Sequence, residues 1–177
     1  MSGFQSSINV GSEVFERRRT DMQALVGELR ELESRPRALS EKRRARFEER
    51  GQLMPRERLE HLLDAGMPFV ELFNLANYLV DSPDPAKSVP GGSLIAGIGF
   101  VSGVRVMVLV DDSGINAGAL TELSIDKSIK CLDIAYKQNL PLIHLVESAG
   151  ADLMNYKVVL WARGGGMFYK LARLSAA

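Results

Sequence analysis

The sequence predicts an α/β domain, a strand–strand–helix–strand array preceded by a charged helical arm, on three observations. Two apolar, β-branched runs, 94–101 and 104–110, flank Ser102 and Gly103, a two-residue hairpin signal. A helix-periodic stretch over 123–138 leads into a continuous apolar run over 140–146. The first sixty residues carry 13 of the 22 basic and 11 of the 22 acidic side chains, a density that suits solvated helices.

In the arm, Ser12 is placed to cap a helix that has Glu13 and Glu16 in its first turn. Met22, Leu25, Leu29 and Leu32 recur at helical spacing, and the residue before a proline disfavours helix, so this helix is expected to end near Arg35, ahead of Pro36. Ser40 caps a second helix over 41–50, with Gly51 as its left-handed C-terminal residue. Pro55 opens a third, over 55–63, that gathers Leu59, Leu62 and Leu63 on one face.

After an exit turn at 64–68, residues 69–72 read as a short strand, and the proline-rich stretch 81–90 reads as an exposed loop ending at Gly91 and Gly92. The hairpin follows. Over 123–138, Ile125, Ile129, Leu132, Ile134 and Ala135 form one helical stripe, and 140–146 reads as a strand buried on both faces. Strand, helix and parallel strand in that order predict a right-handed crossover. The strand exits into Glu147, Ser148, Ala149, Gly150 and Ala151, small residues where open α/β sheets place ligands. Residues 155–177 read as helix interrupted by Gly164, Gly165 and Gly166, which suggests close packing of a neighbouring helix.

Lysine and arginine total 22 and aspartate and glutamate total 22, so no global charge draws the chain to nucleic acid or a membrane surface. The single cysteine, Cys131, forms no internal disulfide, and the opening residues lack a basic start followed by an apolar run, so a cytoplasmic, soluble protein is expected. His61 and His144 lie far apart without neighbouring cysteine or histidine, and no metal site is expected. The glycine triplet lacks the lysine and hydroxyl residue of a phosphate loop.

Three segments carry a resemblance. RRARFEERGQLMPRERLEHLLDAGMPFVEL at 43–72, PGGSLIAGIGFVSGVRVMVLVDD at 90–112 and AGALTELSIDKSIKCLDIAYKQNLPLIHLVESAGA at 117–151 follow in order. Together they resemble the carboxyltransferase (beta) subunits of biotin-dependent acyl-CoA carboxylases of the propionyl-CoA, methylcrotonyl-CoA and acetyl-CoA type. The resemblance implies a crotonase-like domain of repeated strand–strand–helix units, incomplete here, with 1–64 as helical arm and 65–177 as the first part of the N-terminal carboxyltransferase domain. It further implies a C–C bond-forming ligase in fatty acid or branched-chain amino acid metabolism. Biotin would be carried on a partner biotin carboxylase or biotin carboxyl carrier subunit, the full-length subunit would form homo-oligomers, and this portion would be inactive alone.

The implied reaction moves a carboxyl group from carboxybiotin to the α-carbon of an acyl-CoA, so charge develops on the thioester oxygen. Backbone N–H groups at a tight turn supply preorganised donors, which makes Ala149, Gly150 and Ala151 the catalytic candidates. Gly150 permits a positive φ there. An ordinary strand-to-helix turn would use the same small residues, and only the resemblance favours function. Asp152 departs from the basic residue common at that place.

Among Arg43, Arg44, Arg46, Arg50, Arg56 and Arg58, forked donors suit the CoA phosphates; Arg56 and Arg58, inside the family's motif, are the stronger candidates. Gly91 and Gly92 are candidates for the pocket border, although a strand entry needs glycine anyway. Lys127 is expected to cover the face of its helix, and Cys131 to be core. Two rivals remain: a crotonase-type enoyl-CoA hydratase or isomerase, with Glu147 and Asp152 as its carboxylates, and a non-catalytic interaction module.

Overall fold

The computed structural model describes residues 6–151 and 157–176. Helix α1 spans Glu13–Glu41, α2 Arg44–Glu49 and α3 Pro55–Leu62. Strand β1 covers Val70–Glu71, β2 Leu94–Val101 and β3 Val104–Asp111; a 3-10 turn lies at Asn116–Gly118, then α4 Glu122–Lys137, β4 Leu142–Leu145 and α5 Val158–Ser175. Two compact units divide between Leu32 and Glu33, and α2 and α3 fall in the second unit with the sheet. The first unit is the leading part of α1, capped where Ser12 Oγ accepts the Phe15 N–H at 3.2 Å.

The hairpin forms as the sequence indicates. Strands β2 and β3 pair antiparallel from Leu94↔Asp111 to Val101↔Val104. Ser102 and Gly103 both take positive φ, 52° and 76°, the twist that a two-residue hairpin turn favours. Asp64 completes the turn, its carboxylate accepting the N–H groups of Ser102 and Gly103 at 2.8 and 2.7 Å. Strand β1 pairs with β2 and β4 runs parallel to β3, giving the order β1-β2-β3-β4.

Alternation along the hairpin explains its continuous apolar runs, because both faces are covered. Leu94, Ala96, Met107 and Leu109 pack on Cys131 and Ala135 of α4. Ile95, Val106, Val108 and Val110 pack on Leu59 of α3. Each leucine, isoleucine, valine and methionine among them contributes about 1.5–3 kcal/mol by leaving water. Helix α4 begins at a Thr121 cap, whose Oγ1 accepts the Ser124 N–H at 3.2 Å while Ser124 Oγ accepts the Thr121 N–H at 2.8 Å.

Four expectations are corrected. Helix α1 does not end at Arg35; it continues through Pro36 to Glu41 because Pro36 and Ser40 are buried, and that packing offsets the hydrogen bond proline cannot donate. Ser40 is therefore inside α1, and α2 starts at Arg44. Strand β4 is not buried on both faces: Leu142, Ile143 and Leu145 are half-buried and His144 is exposed, because among the described residues β4 is the last strand of the sheet. The glycine triplet neither breaks α5 nor admits a closely packed neighbour. A Cβ added at Gly164 or Gly165 would meet nothing within 4 Å, and at Gly166 only Ile129 Cδ1 at 3.9 Å. Helix α5 lies on α4 through Arg163, 2.7 Å from Asp126 and 2.8 Å from Glu122, and through the Lys170–Asp133 pair.

Candidate functional site

The carboxyl ends of the parallel strands β3 and β4 place two turns side by side. After β3, the chain turns at Asn116, Ala117 and Gly118, with φ of 48°, 52° and 68°. A left-handed alanine costs about 1–2 kcal/mol, so neighbouring bonds must hold it. Gly118 permits the closest approach, since a Cβ there would collide with the Glu147 carbonyl.

The turn after β4 interlocks with it. Ala149 donates its N–H to Ala117 O at 3.0 Å, Ser148 Oγ donates to Gly118 O at 2.6 Å, and Leu120 donates its N–H to Gly150 O at 2.8 Å. The Gly150 N–H goes to Ser148 Oγ at 3.0 Å. Of the three expected amide donors, Ala149 and Gly150 are thus engaged within the loops. The Ala151 N–H has no acceptor among the described residues. Gly150 takes φ 90°, and a Cβ on it would meet nothing within 4 Å among the described residues.

Buried carboxylates anchor both turns. Asp111, 2% exposed, lies 3.2 Å from His144 Nε2 through Oδ1 and accepts the Glu147 N–H at 3.1 Å through Oδ2. Asp112 Oδ1 accepts from Ser40 Oγ at 2.6 Å and from the Gly114 N–H at 3.1 Å. Burial pushes the Asp112 carboxyl above its ordinary range, against the pull of these two donors. These aspartates were not singled out in the sequence; their signal was two consecutive carboxylates ending a buried strand.

The arginines separate into two groups. Arg56 holds Glu71 in a two-pronged pair, Nη1 to Oε2 and Nη2 to Oε1, both 2.9 Å. Burial alone would raise the Glu71 carboxyl, but Arg56 outweighs it and the group titrates below its ordinary range. Arg58 pairs with Glu147, immediately before the small-residue turn. The two arginines favoured for phosphates are therefore committed to carboxylates. A cavity of about 210 Å³ is lined instead by Arg43, Arg46, Arg50 and Gln52 on one side and Ser113, Ala117, Glu147, Ser148 and Ala149 on the other.

Gly91 and Gly92 lie away from that cavity. The Gly91 carbonyl accepts from Lys127 Nζ at 3.4 Å, and Gly92 borders a second cavity of about 580 Å³ with Ser93, Thr121 and Lys157 among its lining. Lys127 does not cover a helix face. It is 4% exposed, its Nζ donates to Leu94 O at 2.5 Å, and burial lowers its ammonium to about 8. Cys131 is core as expected, and burial pushes its thiol up to about 11. Asp152, the expected departure from the family pattern, lies outside the described residues. Among the described residues no helix is long and apolar enough to cross a membrane.

Comparison with known proteins bears on this geometry. The sequence matches the carboxyl transferase domain family over residues 46–177. It is 42% identical over 132 residues to a Mycobacterium tuberculosis protein named "Probable biotin-dependent acyl-coenzyme A carboxylase beta2 subunit", covering 75% of this chain and 24% of that protein. It is 36% identical over 139 residues to the biotin-dependent 3-methylcrotonyl-coenzyme A carboxylase beta1 subunit of the same organism, covering 77% of this chain and 26% of that one. The crystal structure of the P. aeruginosa geranyl-CoA carboxylase beta subunit superposes with a TM-score of 0.89 at 40% identity, over 99% of this chain and 32% of that chain. The chain thus spans a quarter to a third of the length of these relatives. Its partial sheet, with a helical lead-in, is of the crotonase-like fold. On the family match and these likenesses together, the chain belongs to the carboxyl transferase domain family.

Proposed function

We propose that this chain supplies the acyl-CoA side of a biotin-dependent carboxyltransferase site, with the Ala149–Ala151 turn stabilising the enolate oxygen of the thioester. The observation that carries the reading is the turn itself: a tight bend after a parallel strand, with Gly150 at φ 90° and an Ala151 N–H that has no acceptor among the described residues. Ala151 is the primary donor. Ala149 and Gly150, whose N–H groups serve the loop, hold the bend that aims it. A donor fixed before reaction needs no reorganisation as charge grows, which is the source of the rate gain.

The homologous subunits point to the same chemistry. Carboxybiotin, carried on a partner subunit, would bring the carboxyl group, and the acyl-CoA would accept it at its α-carbon. No side-chain base is required of this chain, since the biotin enolate left when carboxybiotin releases carbon dioxide would take the α-proton, and the thioester enolate so formed would then attack that carbon dioxide. The hydratase rival is disfavoured by Glu147, whose carboxylate is held by Arg58 and by its place in the turn rather than left free to move a proton.

Carboxylation of a panel of acyl-CoA thioesters, measured as labelled bicarbonate entering the thioester in the presence of the biotin-carrying partner, tests the reading. Product that requires both biotin and thioester supports it. Conversion of an enoyl-CoA without biotin or bicarbonate would overturn it.

A further inference from the structure

Phe15, Arg18, Met22, Leu25, Leu29 and Leu32 recur along α1 at alternating steps of three and four, the spacing that keeps side chains in one seam facing a second helix. Met22 and Leu25 are 60% and 58% exposed, and Leu29 and Val26, at the edge of the seam, are exposed as well. Single exposed apolar side chains are ordinary, but a contiguous row of them marks an interaction surface. All six seam positions fall within the first compact unit.

The helix itself calls for a partner. Every residue over 16–31 is exposed, so more than four successive turns of α1 bury no face among the described residues. An isolated helix of that length is marginal in water, and helices in proteins owe most of their stability to packing of an amphipathic face.

Charge selects the occupant. Arg17, Arg18 and Arg19 stand near the start of the seam and Glu28 and Glu31 near its end; Arg18 occupies a seam position and Glu28 borders one. Two copies paired in parallel would set Arg18 against Arg18 inside an apolar seam, like charge on like charge. Two antiparallel copies set Phe15 of one against Leu32 of the other, Met22 against Leu25, and Arg18 against Leu29 with Glu28 beside it. Each basic end then meets an acidic end, and the two-fold axis repeats the match.

We infer that the leading part of α1 is a self-association surface on which two copies of this chain pair as an antiparallel two-helix seam centred between Met22 and Leu25; this is independent of the acyl-CoA reading above. The seam is about 25 Å long, a small interface, so the pairing is weak and depends on concentration. Asp21 weakens it further, because the antiparallel arrangement brings Asp21 of one copy toward Asp21 of the other across the centre.

Sedimentation equilibrium of the 177-residue chain, over roughly 5–300 µM, tests the pairing. A monomer–dimer equilibrium is expected, and Leu25→Asp should abolish it. Arg18→Glu and Glu28→Arg should each weaken the dimer about tenfold, since the axis counts every change twice. The double variant Arg18→Glu/Glu28→Arg should return to within about threefold of the unaltered chain, and Asp21→Asn should tighten the dimer several-fold, neither of which loss of folding could produce. A chain that stays monomeric throughout overturns the pairing and gives the seam to another segment of a longer subunit or to a different partner. A dimer indifferent to Leu25→Asp overturns the surface, and a double variant no tighter than either single one overturns the antiparallel register.

Discussion

The N–H of Ala149 donates to the carbonyl of Ala117 at 3.0 Å, and through that bond the turn after β4 is held against the left-handed turn after β3. Ser148 Oγ adds a second tie at Gly118 O, and Leu120 returns a third to Gly150 O. The strain at Ala117 and the engagement of Gly150 are two ends of one arrangement, because the bonds that fix the first turn also take up the Ala149 N–H of the second.

Gly118→Ala should break this arrangement. The new methyl would meet the Glu147 carbonyl on a backbone already at φ 68°, so about 2 kcal/mol or more of stability should be lost. Chemical denaturation measures the loss, and acyl-CoA affinity should fall with it. An unchanged midpoint would mean that the two turns are not in contact.

Arg56→Ala should act on the fold and not on CoA. It leaves the half-buried Glu71 without its guanidinium, at a cost of about 1–3 kcal/mol after allowance for solvent access. CoA affinity, measured below the unfolding transition, should stay within about twofold. A tenfold loss in the still-folded variant would return Arg56 to the ligand site.

Lys127 gives a pH signature. Its folded ammonium titrates near 8 against an ordinary 10.5, so above pH 8 the unfolded chain binds more protons and stability rises with pH. Cys131 works the other way above its ordinary 9.0, because the folded thiol holds its proton to about 11. The rise is therefore read between pH 8 and 9, at up to about 1 kcal/mol per unit. Denaturant midpoints at three pH values should show it, and Lys127→Met should abolish it; the same slope in that variant would assign it to another group.

Met107→Ala should cost about 2–5 kcal/mol, since Met107 is 0% exposed between the sheet and α4. A loss below 1 kcal/mol would mean that α4 does not seal that face.

The sequence made the hairpin, α4 and the core position of Cys131 legible, because local signals and packing agree there. Ser102 and Gly103 favour the turn, and alternate residues of β2 and β3 find cover on both faces. Pro36 misled because a burial partner can offset one missing hydrogen bond, and nothing local announces that partner. The apolar run of β4 promised two covered faces, yet coverage depends on which strand stands last in the sheet. Lys127 looks like any helical lysine until the carbonyls of Leu94 and Gly91 are found above it. At the site, the small-residue turn was legible from its place after a parallel strand. Which of its amides stays free was not, because that depends on Ala117 and Ser148 across a loop. The arginine run was visible as well, but only the positions of Glu41, Glu57, Glu71 and Glu147 show that Arg44, Arg56 and Arg58 are taken up in ion pairs.

The most direct measurement is the amide resonance of Ala151 in ¹⁵N-labelled protein during titration with an acyl-CoA thioester. A donor that meets the thioester oxygen should move downfield and saturate with the ligand, ahead of Ala149, whose N–H already serves Ala117. An Ala151 resonance that stays fixed while the ligand binds would contradict the enolate-stabilising role of this turn.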